Sequence, residues 1–367
     1  MTNAILTSGA MALGLSLALT PVVRWWGRRA GGLVCRPASG PPEIGRIVPR
    51  SGSLALIAAV TTSTLAGWRL LGTSTAPYGP ILAASTLIIA GGLVDDWLRE
   101  LGVRTKVLVQ LAAAGWLIAC GLRTQIAFLP PWVNLTLTLA WLLGVTNACN
   151  LLDILDGLVL GVAFIIAITF CWIAIAGHDA AAATLYAAIA GGALGVWRYN
   201  RHPASVFLGD AGAQWLGFLF AAMAISLHYA PPERPVALLT PLVALAVPLF
   251  DTAFVIVMRR RRGRAVLAKS ADHFALRWIA SGETQTQAVR RVWLLGGACS
   301  AAALVVYYAT NIIGAFITTV LAWGLTCAWR RAGITPDSII SSVVQTDRPP
   351  GRATSQPEQT HAELLTP

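Results

Sequence analysis

The 367-residue chain is 56% hydrophobic and only 12% charged, with a mean hydropathy of +0.66. A soluble globular domain carries about one quarter charged residues, so this composition excludes such a domain and indicates a membrane protein. The formal net charge of +11 is compatible with an anionic lipid leaflet, and we attribute it to membrane topology rather than to nucleic-acid binding.

Apolar stretches that approach the length of a membrane span recur along the chain, since a helix needs about 20 such residues to cross a bilayer. They lie near residues 5–23, 52–71, 80–94, 105–121, 133–150, 157–176, 179–197, 211–228, 236–258, 292–309 and 311–328. They predict an all-α polytopic protein with eleven transmembrane helices. Ten remains open because the third stretch is short. Pro248 predicts a bend in the ninth helix, since proline removes a backbone hydrogen bond.

The basic residues fall unevenly between alternate loops. With the N-terminus outside, all but three of the 27 Lys and Arg residues lie in inner segments. Because Lys and Arg accumulate in cytoplasmic loops, this predicts an outer N-terminus and a cytoplasmic C-terminus. Residues 1–332 are expected to form one transmembrane domain. Residues 333–367, rich in Pro, Thr and Ser, predict a disordered cytoplasmic tail.

Polar side chains recur at the inner ends of these spans. Asn147, Asn150 and Asp153 are each three residues apart, so they share one side of the fifth helix. The others are Asp95, Asp96, Asp156, Asn200, Asp210 and Asp251, followed by Asp272 and His273 in the large basic inner loop. One Asp at a helix end is equally well explained by capping or by snorkelling to water. Several on the same side predict a shared site.

The residue types at this site predict its chemistry. Oxygen ligands without cysteine, and with a single central histidine, favour Mg²⁺ over zinc. Mg²⁺ usually joins carboxylates to substrate phosphates. Arg46, Lys106 and the basic run at residues 259–264 could neutralise further phosphate charge. Topology alone also explains a basic run in a cytoplasmic loop.

Four motifs, in this order, resemble those of the polyprenyl-phosphate sugar-1-phosphate transferases of the glycosyltransferase family 4 type. They are GGLVDDW (91–97), NACNLLDILDGL (147–158), YNRHPASVFLGDAG (199–212) and PLFDTAFVIVMRRRRG (248–263). The superfamily contains N-acetylhexosamine-1-phosphate transferases and phospho-N-acetylmuramoyl-pentapeptide transferase. The resemblance implies an enzyme of the cell membrane with a cytoplasm-facing site. It would transfer a sugar-1-phosphate from a UDP-sugar to polyprenyl (undecaprenyl) phosphate and release UMP, the first lipid-linked step of cell-envelope glycan synthesis.

The resemblance also implies roles for individual residues. Asp95 and Asp96 resemble the pair that handles the polyprenyl phosphate, and Asp210 with Asp153 would bind Mg²⁺, with Mn²⁺ as an alternative. The catalytic set that it implies is Asp95, Asp96, Asp153, Asp210 and His273. The substrate-binding set is Arg46, Lys106, Asn147, Asn150, Asp156, Asn200, Phe207, Asp251, Asp272 and Arg277.

Two departures from the family pattern bear on the substrate. Cys35 stands where relatives usually have Asp, and the last inner loop has the single His273 where many relatives have a His-rich triplet. The single histidine favours an N-acetylhexosamine donor over the muramoyl-pentapeptide donor. A transporter and a catalytically inactive relative remain alternatives, as does a double displacement through an aspartyl phosphoenzyme. The expected partners are the UDP-sugar, the polyprenyl phosphate and the bilayer, without nucleic acid; a homodimer is left open.

Overall fold

The computed structural model describes residues 1–29, 34–35, 48–72, 78–98, 101–263, 265 and 272–333. Its helices are α1 (Thr2–Arg29), α2 (Gly52–Leu71), α3 (Gly79–Leu98), α4 (Val103–Ala119), α5 (Pro131–Leu152), α6 (Leu158–Ala176), α7 (Ala180–Asn200), α8 (Gly209–Ser226), α9 (Thr240–Ala244), α10 (Ala246–Arg261), α11 (Phe274–Ala280), α12 (Gln285–Tyr308) and α13 (Asn311–Gly333). A 3₁₀ turn (Pro235–Leu239) precedes α9. Two short strands, β1 (Val34–Cys35) and β2 (Val48–Pro49), pair antiparallel.

Each apolar stretch found in the sequence corresponds to a helix, or to the bent pair that α9 and α10 form. Within the described residues, eight helices are long and apolar enough to cross a membrane: α1, α2, α3, α5, α6, α7, α12 and residues 311–328 of α13. The bent pair gives a ninth if it is counted as one span. The 17-residue α4 and the 18-residue α8 lie outside this set. The all-α polytopic fold is confirmed, whereas the number of spans and their orientation stay predictions.

The bend expected in the ninth span is present, but it lies ahead of the proline. The 3₁₀ turn with α9 meets α10 at an angle of 72°, and Leu245 separates the two helices. Pro248 is the third residue of α10. In the first turn of a helix the missing N–H of proline has no intrahelical acceptor to lose, so Pro248 suits the start of a new helix.

The α8 helix is the centre of the fold. Residue 209 and residues 211–224 are all buried, and α8 packs against α3 on one side and α5 on the other. Glycines allow this close approach. A Cβ on Gly92 of α3 would collide with the backbone of Ala211, and one on Gly217 would lie 2.8 Å from Cα of Thr146 in α5. Small residues at helix contacts are typical of membrane bundles.

Burial falls from this centre towards the periphery. Two thirds of α6 and of α7 are buried, but only 6% of the apolar part of α13 is buried. The exposed side chains of α13 are large and apolar, such as Ile312, Phe316 and Trp323. Such a surface suits contact with lipid chains. The predicted tail lies outside the described residues apart from Gly333, so the domain division stays a prediction.

Candidate functional site

The N-terminus of α8 is held by a carboxylate from another helix. The backbone N–H groups of Asp210 and Ala211 donate to the two carboxylate oxygens of Asp96, over 3.0 and 3.1 Å. Asp96, in α3, is 1% exposed. The first N–H groups of a helix have no partner within it and carry partial positive charge, so this carboxylate caps α8. Gly209 permits the approach, because it has φ +83° and a Cβ there would lie 2.6 Å from Oδ2 of Asp96.

Lys106 joins two of the predicted site residues. Its Nζ lies 2.7 Å from Oδ2 of Asp95 and 2.6 Å from Oδ2 of Asp210. The other oxygen of Asp95 accepts from the backbone N–H of Leu101 at 2.6 Å, which fixes its orientation. Side chains from α3, α4 and α8 thus converge on one point, and two carboxylates share a single positive charge there.

Asp153 belongs to the same electrostatic environment. It follows the last residue of α5. The pKa of Asp153 is raised to about 7, chiefly because its carboxyl group is buried and secondly because of the negative charge of Asp210, while Arg50 opposes the shift. We call Asp95, Asp96, Asp153 and Asp210 the acidic cluster. A bound cation would relieve the repulsion between these carboxylates and favour their charged forms.

Arg50 is a candidate site residue that the sequence did not single out. Its Nη1 lies 3.7 Å from Oδ1 of Asp96. A backbone pairing holds it there, since the N–H of Phe207 donates to the carbonyl of Pro49 over 2.8 Å and the N–H of Gly52 donates to the carbonyl of Phe207 over 3.0 Å. Its position directly after Pro49 was the available signal, but an arginine in an inner loop is also explained by topology. Arg46, the predicted residue, lies outside the described residues.

Side-chain amides form a network beside the acidic cluster. Nδ2 of Asn147 donates to Oε1 of Gln110 over 2.7 Å, and Nε2 of Gln110 donates to Oε1 of Gln214 over 3.0 Å. This network joins α4, α5 and α8 and fixes Asn147. Asn150, one turn along α5, has no side-chain hydrogen bond within the described chain. Its amide is therefore available for a ligand.

Asp156 and Asn200 join the second and third sequence motifs. Oδ1 of Asn200 accepts from the N–H of Gly157 at 3.0 Å, and its Nδ2 donates to the carbonyl of Val206 over 2.9 Å. Oδ2 of Asp156 accepts from the N–H of Ala204 and lies 3.0 Å from Nδ1 of His202. These bonds fasten the loop after α5 to the loop after α7. The half-buried Phe207 lies in the latter loop, two residues before α8 begins.

A second, separate cluster lies between α10 and α11. Asp251 is 1% exposed and His273 is 3% exposed; Nδ1 of His273 lies 2.6 Å from Oδ2 of Asp251. The N–H of Phe274 donates to the other oxygen of Asp251 over 3.2 Å. Asp272 forms an ion pair with Arg262, and Oδ1 of Asp272 lies 3.5 Å from Nη2 of Arg277. These contacts bring four predicted residues together and fix α11 on α10, and none of these contacts reaches the acidic cluster.

The acidic cluster matches Mg²⁺ in donor type. No three His, Cys, Asp or Glu side chains of the described chain are grouped closely enough to hold a metal by themselves. Mg²⁺, however, usually takes one or two carboxylates and completes its shell with water and substrate phosphates. Oxygens of Asp95 and Asp210 already converge on the ammonium of Lys106, so this part of the protein accommodates concentrated positive charge.

Comparisons with known proteins agree with the family that the motifs indicate. The model of glycosyl transferase family 4 matches residues 79–228, which contain three of the four motifs. A probable undecaprenyl-phosphate N-acetylglucosaminyl 1-phosphate transferase of Bacillus subtilis (strain 168) is 30% identical over 313 residues, which cover 83% of this chain and 86% of that protein.

Two further relatives differ in the substrate that their names give. A decaprenyl-phosphate N-acetylglucosaminephosphotransferase of Mycolicibacterium smegmatis is 29% identical over 283 residues, 68% of this chain and 69% of that protein. A phospho-N-acetylmuramoyl-pentapeptide-transferase of Desulforamulus reducens is 31% identical over 326 residues, 78% of this chain and 91% of that protein. Both likenesses extend well beyond the four short motifs.

Proposed function

Because the chain belongs to glycosyltransferase family 4, we propose that it transfers an N-acetylhexosamine-1-phosphate from a UDP-sugar to a polyprenyl phosphate and releases UMP. The observation that carries this proposal is the convergence of Asp95, Lys106 and Asp210, from three helices, beside Asp153. Relatives named as N-acetylglucosaminyl transferases of undecaprenyl and decaprenyl phosphate support this donor class. UDP-N-acetylglucosamine is therefore the first donor to test.

The residues suit a reaction between two polyanions. A polyprenyl monophosphate has a second pKa near 6, like other phosphate monoesters, so it is largely dianionic at neutral pH. Its oxygen needs little help to lose a proton, and the protein chiefly has to align the two substrates and neutralise their charge. In this proposal Lys106 supplies a positive charge between the substrates. Asp95, held by the N–H of Leu101, orients the acceptor phosphate.

Asp96 and Asp210 have different roles in this scheme. Both carboxylate oxygens of Asp96 accept hydrogen bonds from the first N–H groups of α8. Asp96 therefore positions Asp210 and does not contact the lipid phosphate. Asp210 and Asp153 would hold Mg²⁺, which when bound neutralises the pyrophosphate of the donor and stabilises UMP as it leaves. A double displacement would instead make Asp95 the nucleophile, and trapping of a phosphoenzyme would distinguish it from direct attack.

The remaining predicted residues fall on the nucleotide side or support it. The free amide of Asn150 and the ring of Phe207 would contact the nucleotide, with the ring stacking on uracil. Asp156, Asn200 and Asn147 would shape its pocket through the hydrogen bonds described above. The pair of Asp251 and His273 would position α11, together with Asp272 and Arg277. Arg46 would add positive charge from the first inner loop.

The distribution of charge supports the cellular placement that we propose. The basic inner loops favour a site on the cytoplasmic face of the cell membrane, the side on which nucleotide sugars are available. The reaction would then be the first lipid-linked step in the synthesis of an envelope glycan. A homodimer stays a prediction.

The test is release of UMP by the purified chain. The assay contains polyprenyl phosphate, Mg²⁺ and one UDP-sugar at a time, including UDP-N-acetylglucosamine and UDP-N-acetylmuramoyl-pentapeptide. We expect UMP with an N-acetylhexosamine donor, and a loss of about 10²-fold or more in Asp210→Asn, since preorganised charge at a phosphoryl centre commonly contributes that much. Glu233→Gln, a carboxylate change in the connection between α8 and the 3₁₀ turn, is the control and should leave the rate unchanged.

The outcome also separates the alternatives. Turnover with the muramoyl-pentapeptide donor alone would support the second candidate, which the likeness to the Desulforamulus reducens protein favours. Uptake of UDP-sugar into proteoliposomes without UMP would indicate a transporter. No UMP from any donor, together with an unimpaired cellular role of Asp210→Asn, would show a protein that has lost catalysis.

A further inference from the structure

A cavity of about 500 Å³ lies beside the site, between the end of α7 and the start of α12. Its walls come from Trp197 and Arg198 of α7, from the loop that follows, and from Arg290 and Trp293 of α12. Of the site residues predicted from the sequence, only Asp156 lines it. Part of the third motif, between Tyr199 and Ser205, also lines it. Lys106 and the carboxylates of Asp95, Asp153 and Asp210 do not, so this space is distinct from the acidic cluster.

Positive charge around this cavity is not compensated. Arg198, Arg201 and Arg290 line it, all three are exposed, and within the described chain none forms an ion pair with a carboxylate. The single carboxylate of the lining, Asp156, is occupied by His202 and by the N–H of Ala204. A concave surface with three unpaired guanidinium groups and an occupied carboxylate is suited to an anion.

Part of the cavity wall is aromatic. The rings of Trp197 and Trp293 meet edge to face, with centroids 5.6 Å apart, and the guanidinium of Arg201 lies 5.9 Å from the centroid of the Trp197 ring. Nε1 of Trp293 donates to the carbonyl of Leu158 over 3.3 Å, which fixes that ring. Nε1 of Trp197 is buried and has no hydrogen-bond acceptor in the described chain. The cavity therefore combines a cationic rim with a fixed apolar wall.

We propose that this cavity binds a phosphate-bearing ligand at a site that neither Lys106 nor the acidic cluster lines. Guanidinium groups bind phosphate through paired, charge-assisted hydrogen bonds. The source of the phosphate is either the head group of an anionic phospholipid or a soluble phosphate. Both α7 and α12 are apolar enough to cross a membrane. Because the cavity lies at the end of α7 and the start of α12, it lies at the depth expected for lipid head groups. The proposal does not depend on the transferase assignment.

The test uses the full chain, purified and delipidated, with native mass spectrometry to count bound molecules. One series adds phosphatidylglycerol or phosphatidylcholine, and another adds inorganic phosphate. The variant is Arg198→Gln with Arg290→Gln, and the control is Arg69→Gln with Arg123→Gln, which removes two arginines from other parts of the chain. A charge-assisted bond contributes enough for about a tenfold change in affinity. We therefore expect at least tenfold weaker binding in the variant and wild-type binding in the control.

The two series identify the source of the phosphate. A loss confined to phosphatidylglycerol assigns the cavity to a lipid head group, and a loss confined to inorganic phosphate assigns it to a soluble anion. Arg198→Lys with Arg290→Lys keeps the charge and should retain part of the binding, which distinguishes a lost ligand contact from a misfolded variant. The proposal is overturned if neither probe binds the wild type, or if the glutamine variant binds both as tightly as the wild type. UMP release, measured separately, reports on the proposed transferase activity.

Discussion

Gly209→Ala tests whether Asp96 holds the start of α8. Gly209 has φ +83°, a conformation that costs a residue with a side chain about 1–2 kcal/mol. The new Cβ would also lie 2.6 Å from Oδ2 of Asp96, the oxygen that accepts from the N–H of Ala211. Loss of one hydrogen bond to a charged group costs about 1.5–3 kcal/mol. The sum predicts a destabilisation of about 2.5–5 kcal/mol.

The effect on activity should be larger than stability alone explains. Asp210 is the second residue of α8, so a shift of the helix start displaces its carboxylate directly. A misplacement of about 1 Å can lower a rate about 10²-fold, and we expect a loss of that size in UMP release. Both quantities are measured on one preparation, as the apparent thermal unfolding midpoint in detergent and as the initial rate of UMP release.

Gly282→Ala is the matched control. Gly282 has φ +104°, and no heavy atom lies within 4 Å of a Cβ built there. It lies between α11 and α12, so its substitution introduces backbone strain without a clash. We expect a loss of about 1–2 kcal/mol and an unchanged rate at a temperature where the variant is folded. Equal effects of the two substitutions, on both stability and rate, would refute the capping role of Asp96.

Three further predictions concern the charged groups. Asp96→Asn should lower the unfolding midpoint more than Asp95→Asn does, because only Asp96 caps a helix. Both substitutions should lower UMP release. The opposite order of midpoints would contradict this assignment. Lys106→Met should raise the KM for polyprenyl phosphate at least tenfold, and Lys106→Arg should restore part of it, since a charged hydrogen bond contributes about 1.5–3 kcal/mol; an unchanged KM would exclude Lys106 from substrate binding. His273→Ala should cost about 1.5–3 kcal/mol by removing one hydrogen bond to the buried carboxylate of Asp251. His273→Asn, which can still donate to that carboxylate, should keep most of the UMP release; complete inactivity of a folded His273→Asn protein would instead indicate a catalytic histidine.

The helices were predictable because hydropathy is a local property. Every apolar stretch in the sequence corresponds to a helix or to the bent pair. The position of the bend was not predictable in the same way. Pro248 correctly indicated a break in the ninth span, but the break falls at Leu245, because proline is well accommodated in the first turn of a helix.

From the sequence one could predict only that the acidic groups would lie on the same side of the membrane. The positions of Asp95 and Asp210 at inner helix ends predicted that they would share a surface, but not that Lys106 would lie between them. The different contacts of Asp95 and Asp96 could not be predicted from the sequence. The N–H groups that donate to Asp96 lie more than a hundred residues away along the chain. Arg50 was missed for a related reason, since its position depends on the backbone pairing of Pro49 with Phe207.

The contact of α3 with α8 restricts how the protein can move during a catalytic cycle. At Gly92 the backbone of Ala211 lies too close for any larger residue to fit. One turn further along α3, the carboxylate of Asp96 accepts hydrogen bonds from the first N–H groups of α8. Sliding or rotation of either helix would break both contacts together. We therefore expect the two helices to move as one rigid body that keeps Asp95 and Asp210 at a constant separation.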